Sequence, residues 1–326
     1  MKQAMTSLMF LVPLMLFAQS NKDPGVSERK FLFDGTERTY WIHIPASHTD
    51  MSGVPLLIML HGGGSTGKAN VGLTKGEFNS LSDRDGFLVV YPDGINKHWN
   101  DGRTEDVIVY GKGQKLQNDV GFISALIDSL ISTMNVDPNR VYVTGMSNGA
   151  LMAYRLGCEI PDKLAAIAPV DGSILQSVAD TVSPRSPLAV LAINNTKDPL
   201  VHWNGGDLTG PFGKRALGKI LSVHQSVDFW VKRDHCSTTP LITSLPNIDP
   251  NSGMQVSREE YVNGDEGSEV ILYAIEGGGH TWPGGVQYAP VAMIGKTSHD
   301  IDACPIIWEF FKKHVRTSIK NETQSK

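Results

Sequence analysis

Five short, almost unbroken apolar runs limit what this chain can fold into more than any other feature. They are "VPLLIML" (54–60), "GFLVVYP" (86–92), "NRVYVTG" (139–145), "LAAIAPV" (164–170) and "PLAVLAINN" (187–195). A strand with one face in water alternates apolar and polar residues, whereas a run without alternation is buried on both faces, as the strands of parallel sheets are. Such a sheet needs helices on each side. Helix-period segments supply them at 74–85, 118–134 and 148–157, and again at 217–233 and 303–316. In the second of these, Val120, Ile123, Leu126, Ile127, Leu130 and Ile131 recur at the three- and four-residue spacing of one helix face. The pattern predicts an α/β fold, a three-layer sandwich with a mostly parallel central sheet and right-handed crossovers.

The flanks are less regular. Two β-rich runs around Asp34-Gly35 predict a hairpin. Residues 236–267 are polar and carry the turn signals "DPNSG" and "NGDEG", which read as an ordered excursion before a last strand at 268–276. No internal repeat or second domain is visible, so residues 21–326 are expected to form a single catalytic domain. Residues 1–20, "MKQAMTSLMFLVPLMLFAQS", combine one positive charge at Lys2, an apolar stretch at 8–17 and small residues at Ala18 and Ser20. That is the layout of a cleavable export signal, shorter than the about 20 apolar residues of a membrane span.

Charge and cysteines narrow the partners. With 29 basic and 34 acidic residues the formal charge is −5, and no basic run is present, which argues against nucleic acid and anionic membrane surfaces. Cys158, Cys236 and Cys304 are widely spaced and match no metal or redox motif. Export would permit one disulfide, and the sequence does not select the pair.

Where the third apolar run ends, "GMSNG" (145–149) leads into a helical segment. A GxSxG pattern means little alone. At a strand-to-helix junction it is the nucleophile elbow of α/β-hydrolases, in which small residues allow a strained turn to lift the Ser147 hydroxyl clear of the sheet. The competing reading is Ser147 as a simple helix N-cap. A serine nucleophile needs a base, and His280 in "AIEGGGHTWPGG" lies just past the last strand in a glycine-rich loop. His202, His224, His235, His299 and His314 lie in polar or helical settings and are expected at the surface. Asp198 follows the strand at 187–195, giving the chain order Ser147, Asp198, His280 of that fold, with Asp171 in "PVDGS" as the fallback acid. "LIMLHGGGSTG" (57–67) supplies a glycine loop whose amides, one of Gly63 or Gly64, would hold an oxyanion together with the amide of Asn148. Its "GGGSTGK" lacks the spacing of a phosphate loop.

With those residues in view, the chain resembles the extracellular polyhydroxybutyrate depolymerase and feruloyl or acetyl xylan esterase group, related to carbohydrate esterase family 1. The likeness runs from about residue 38 to 311 and rests on "LHGGGSTG", "FLVVYPDG", "HWNDGR", "NDVGFISALIDSL", "VDPNRVYVTGMSNGALMAYRLGCEIPDKLAAIAPVDG", "KDPLVHWNGG" and "GGGHTWPGG". It implies a carboxylic-ester hydrolase outside the cytoplasm, with Ser147 as nucleophile, His280 as base and Asp198 as its partner. The chain departs from that group by "INNTKD" before the acid, by Asn118 where aspartate is usual, and by lacking cysteines near "WNDGR".

The expected function is therefore a secreted or periplasmic serine esterase that removes feruloyl or acetyl groups from plant polysaccharides or oligosaccharides, with no cofactor. Trp99, Trp203 and Trp282 are candidates for stacking on a sugar or aromatic acyl group, against a plain packing role. Alternatives are a hydroxyalkanoate-oligomer depolymerase with the same machinery, a carbohydrate-binding protein that has lost the chemistry, and a peptidase on the same fold. Oligomeric state and the acyl group are not readable.

Overall fold

The computed structural model describes residues 25–47, 53–103, 116–209 and 216–316. The export-signal segment at 1–20 lies outside them. The apolar runs become strands, as their lack of alternation requires. In chain order the strands are β1 (Ser27–Phe33), β2 (Thr36–His43), β3 (Val54–Leu60), β4 (Leu88–Pro92), β5 (Val136–Met146), β6 (Ala166–Val170), β7 (Ala189–Asn195), β8 (Gly206–Thr209), β9 (Ala216–Ile220), β10 (Leu241–Ser244), β11 (Gln255–Tyr261) and β12 (Val270–Glu276). The helices are α1 (Gly67–Leu73), α2 (Glu77–Asp85), α3 (Asp119–Thr133), α4 (Asn148–Glu159), α5 (Gln176–Thr181), α6 (Val223–Arg233), α7 (Val291–Ile294) and α8 (Ala303–Phe311).

Ten strands form one sheet in the order β1-β2-β4-β3-β5-β6-β7-β12-β11-β10. The six central ones, β4 to β12, are mutually parallel, and antiparallel pairs extend each edge. Every residue of β3, β4, β6 and β7 is buried, whereas all four of edge strand β10 are exposed. Alternate side chains feed two cores. Leu56, Ile58 and Leu60 join residues of α3, α4 and α6 on one face, and Leu57 and Met59 join residues of α1, α2 and α8 on the other. This is the three-layer α/β-hydrolase architecture expected from the sequence.

The structure corrects three local expectations. The helix expected at 74–85 is broken by Lys75 and Gly76, both at positive φ, and begins only at Glu77. The helix expected from residue 217 starts at Val223, where Ser222 and Gln225 close a reciprocal capping box, and the residues before it pair as β9 with β8. The polar region 236–267 is partly sheet: β10 and β11 continue the ladder from β12. Exposed throughout β10 and only partly buried along β11, they lack the clean alternation that would have marked them.

One buried ion pair ties the first hairpin to the helical layer. Arg38 of β2 donates to the Asp119 carboxylate at the start of α3 over 2.7 Å, both are 2% exposed or less, and the guanidinium lies 3.8 Å from the centre of the Phe122 ring. The second Asp119 oxygen accepts the Asn100 amide at 2.7 Å, so the pair also anchors the loop after β4. Removing one partner of such a pair strands a buried charge, which costs about 3–5 kcal/mol. Arg38→Leu should lose that much stability in a guanidinium denaturation series; a loss below about 1 kcal/mol would mean that Asp119 finds other partners.

Candidate active site

The carboxyl ends of β5, β6, β7 and β12 carry the residues picked out by sequence. Ser147 follows β5 with φ 58° and ψ −122°, a conformation that an L-residue adopts only under compulsion. Its amide donates to Val170 O of β6, and its own carbonyl accepts from the amides of Ala150 and Leu151 in α4. The Ser147 side chain makes no capping bond to the helix, which disposes of the plain N-cap reading. The two flanking glycines are steric necessities. A methyl group on Gly145 would lie 2.7 Å from the Gly149 backbone, and one on Gly149 would collide with the Leu60 carbonyl.

His280 sits in the loop after β12 and is 2% exposed. Its Nδ1 lies 2.6 Å from Asp198 Oδ2, the other Asp198 oxygen accepts the amides of Leu200 and Val201, and the backbone around the imidazole is held by His280 N–H to Ile294 O and by Tyr288 Oη–H to His280 O. Nδ1 therefore carries the proton, and Nε2 is left as the basic atom. Burial by itself would lower the imidazole. The charge and hydrogen bond of Asp198, with the charge of Asp171, outweigh it and raise the group above its ordinary 6.5.

Asp171, the fallback acid, has a different task. It is fully buried and accepts from Asn195 N–H at 3.0 Å, from Asn195 Nδ2 and from Thr281 N–H at 2.9 Å. It thus fastens the histidine loop to the end of β7 rather than meeting the imidazole edge. Burial first, then the charge of Asp198, raise its carboxyl well above the usual range, and the donated hydrogen bonds oppose the rise. Asp171, Asp198 and His280 bring potential metal-binding atoms within 4.8 Å of one another. The Asp198–His280 hydrogen bond and the bonds the two carboxylates accept from Asn195, Leu200, Val201 and Thr281 engage these groups, as in an orienting network.

The glycine loop 61–64 faces the elbow. A methyl group on Gly62 would stand 3.6 Å from Ser147 Cβ, and one on Gly63 would stand 3.7 Å from Asn148 Cβ and 3.2 Å from the His98 ring. The Gly64 amide is donated to Lys97 O at 2.8 Å, so of the two expected donors Gly64 is already committed and Gly63 remains. His61 is buried and neutral, since burial pushes it down to about 4. Its Nε2 accepts the Gly94 amide at 2.9 Å, which places its proton on Nδ1, 2.8 Å from Gly62 O.

The three tryptophans part company. Trp99 and Trp282 are buried; the first donates its indole N–H to His61 O, and the second packs edge-on against Phe78. Neither presents a face to a ligand. Trp203 is half-buried and meets the edge of His224. Sequence reasoning placed all three in loops near the site but had no signal for their burial.

With this geometry in place, the relatives become informative. A family model described as esterase PHB depolymerase matches residues 39–204, just over half of the chain. The chain belongs to this esterase family. It is 30% identical to the candidate esterase NocK of Nocardia uniformis subsp. tsuyamanensis over 88% of the chain and 83% of that protein. It is 27% identical to feruloyl esterase B of Piromyces equi, over 73% of the chain and 42% of the relative. To poly(3-hydroxyalkanoate) depolymerase C of Paucimonas lemoignei it is 26% identical, over 85% of the chain and 66% of the relative. Acetyl xylan esterase from Aspergillus awamori superposes with a TM-score of 0.58 at 16% identity, over 88% of this chain and 99% of that one, and supports the fold. This family member is a carboxylic-ester hydrolase. Among the described residues no helix is long and apolar enough to cross a membrane.

The elbow's steric demands are testable. Gly149→Ala should destabilise the protein by about 1–3 kcal/mol through forced overpacking against β3, seen as a lowered melting temperature. An unchanged melting temperature would show that α4 shifts freely and that the elbow is not clamped.

Proposed function

We propose that this esterase is an exported serine hydrolase that removes feruloyl or acetyl groups from plant cell-wall polysaccharides or their oligosaccharides. The observation that carries the mechanism is the Asp198–His280 pair at 2.6 Å, set on the same sheet edge as a serine whose backbone is strained and whose side chain caps nothing. In this mechanism Ser147 Oγ attacks the ester carbonyl while its proton passes to His280 Nε2. The negative oxygen is met by the amides of Asn148 and Gly63, and the imidazolium is stabilised by Asp198. His280 then protonates the departing sugar alkoxide. Water, deprotonated by the same imidazole, attacks the acyl-enzyme, releases the acid and restores the Ser147 hydroxyl. No step calls for a cofactor.

The substrate class rests on the relatives' names, which include feruloyl esterase B of Piromyces equi and a bifunctional acetylxylan esterase/xylanase of Neocallimastix patriciarum. Export rests on the sequence of residues 1–20. A second reading, hydrolysis of hydroxyalkanoate oligomers, is supported by the depolymerase from Paucimonas lemoignei, whose match covers more of this chain than that of feruloyl esterase B. Turnover of methyl ferulate, acetylated xylan and a hydroxybutyrate oligomer by the purified protein separates the two; preference for the oligomer would overturn the first.

Two measurements test the machinery. Ser147→Ala should lower hydrolysis of p-nitrophenyl acetate by at least about a thousandfold and abolish labelling by a fluorophosphonate, with the fold retained. Retained turnover would remove Ser147 from the mechanism. The base must be neutral to act, and its pKa is raised, so kcat/KM should fall as pH drops through a midpoint above 6.5. Asp198→Asn should slow the reaction and move that midpoint downward, because the charge that raises it is gone; an unmoved midpoint would assign the limb to another group. His61, held down near 4, is too low to produce it.

A further inference from the structure

The two amides assigned to the oxyanion come from different parts of the sheet, Gly63 after β3 and Asn148 after β5, and the gap between them must be held to a fraction of an ångström for both to point at one oxygen. A single segment, residues 94–101, bridges that gap. On the glycine-loop side, Gly94 N–H donates to His61 Nε2 at 2.9 Å, Trp99 Nε1–H donates to His61 O at 2.9 Å, and Lys97 O accepts the Gly64 amide at 2.8 Å. On the elbow side, the Asn148 side chain is wholly engaged by the same segment. Its Oδ1 accepts Trp99 N–H at 2.8 Å, and its Nδ2 donates to Trp99 O at 3.1 Å and to Asp101 Oδ2 at 2.7 Å.

Asp101 closes this clamp. It is 1% exposed, and the oxygen that receives Asn148 is also paired with Arg103 at 2.8 Å. The segment is in turn fixed from outside, by Asn100 N–H to Asp119 and by Arg155 of α4 to Asn100 O at 2.7 Å. Nothing in this set touches the reacting atoms. Its members act on the two donors from behind.

We propose that Asp101 and Trp99 are positioning residues for the oxyanion hole: Asp101 holds the Asn148 amide in place, Trp99 holds the opposite loop through the His61 carbonyl, and together they set the distance between the two donors. The inference rests on the serine-esterase reading. An interaction of this kind matters only when the oxygen becomes negative, so its loss lowers kcat while leaving KM alone.

The test uses Asp101→Ala, Asp101→Asn and Trp99→Phe in the full chain with p-nitrophenyl acetate. Asp101→Ala should lower kcat about 10- to 100-fold, less than the roughly 100- to 1,000-fold loss for removing an oxyanion donor outright, with KM within about twofold of wild type. Asp101→Asn, which still offers a carbonyl oxygen to Asn148, should recover most of the activity. Trp99→Phe keeps an aromatic ring but loses the pyrrole half of the indole with its N–H, and it should lower kcat in the same sense. Inhibition by phenylboronic acid, whose tetrahedral adduct with Ser147 places an oxygen in the hole, should weaken in parallel with kcat. The inference is overturned if Asp101→Ala folds and keeps its kcat, if KM carries the loss, or if boronate affinity does not follow kcat. Should Asp101→Ala not fold, Trp99→Phe with unchanged kcat and boronate affinity overturns it equally. A wild-type protein that turns over no ester, or that keeps its turnover with Ser147→Ala, instead removes the reading on which the inference stands.

Discussion

The backbone of Ser147 is the constraint around which the rest is arranged. A non-glycine residue at φ 58° and ψ −122° persists only when its surroundings over-determine it. Here they do so from three directions: Val170 O of β6 receives its amide, α4 closes two hydrogen bonds onto its carbonyl, and the Leu60 end of β3 leaves no room for a side chain at Gly145 or Gly149. Each contact depends on the register of β3, β5 and β6, in which Leu60 stands beside Gly145 and Met146 beside Val170. A slip of one residue would carry every inward side chain to the wrong face and remove the clamp on the turn. The continuous apolar strands and the strained serine are therefore one design: the sheet's burial fixes the register, and the register holds the serine.

That dependence explains what could be read from the chain. Strands β3, β4, β6 and β7 were legible because burial on both faces leaves their runs almost wholly apolar, with only Asn194 and Asn195 at the end of β7 as amides. The hairpin was legible because Asp34 and Gly35 both take positive φ, as a two-residue turn of that hand requires. Strands β10 and β11 were not, since an edge of the sheet asks little of its side chains. Ser147, Asp198 and His280 stood out by chain order and by their place just beyond strand ends. The tasks of Asp171 and Asp101 did not, because they consist of partners 24, 47 and 110 residues away, and no local pattern encodes a contact made at that separation. The tryptophans failed for the same reason: a loop position says nothing about whether an indole faces solvent or the core.

Two histidines show how much the neighbours of a buried group decide. His61 and His280 are equally hidden, and burial pushes both toward the neutral form. For His61 nothing strong opposes it. The ring stays uncharged, keeps its proton on Nδ1, and goes on accepting the Gly94 amide. For His280 two carboxylates stand close by, and the balance reverses. Each carboxylate is separately satisfied: Asp198 by the amides of Leu200 and Val201, Asp171 by Asn195 and Thr281. The two acids hold the proton on His280 above the ordinary imidazole value, while Asp171, despite those bonds, is itself pushed up by burial and by the charge of Asp198.

In the proposed reaction this asymmetry separates two functions that share one small volume. The charge that develops on His280 forms beside acids already in place to receive it, and little has to reorganise. The charge that develops on the substrate forms over the glycine loop, where a second cation at His61 would break the Gly94 hydrogen bond and release the segment that spaces the donors. Keeping His61 neutral through the pH range in which His280 titrates thus keeps the oxyanion site rigid while its base changes state. The pH dependence of catalysis then reports on His280 and the acids coupled to it and not on His61, which is what allows the histidine and the donor loop to be tested independently.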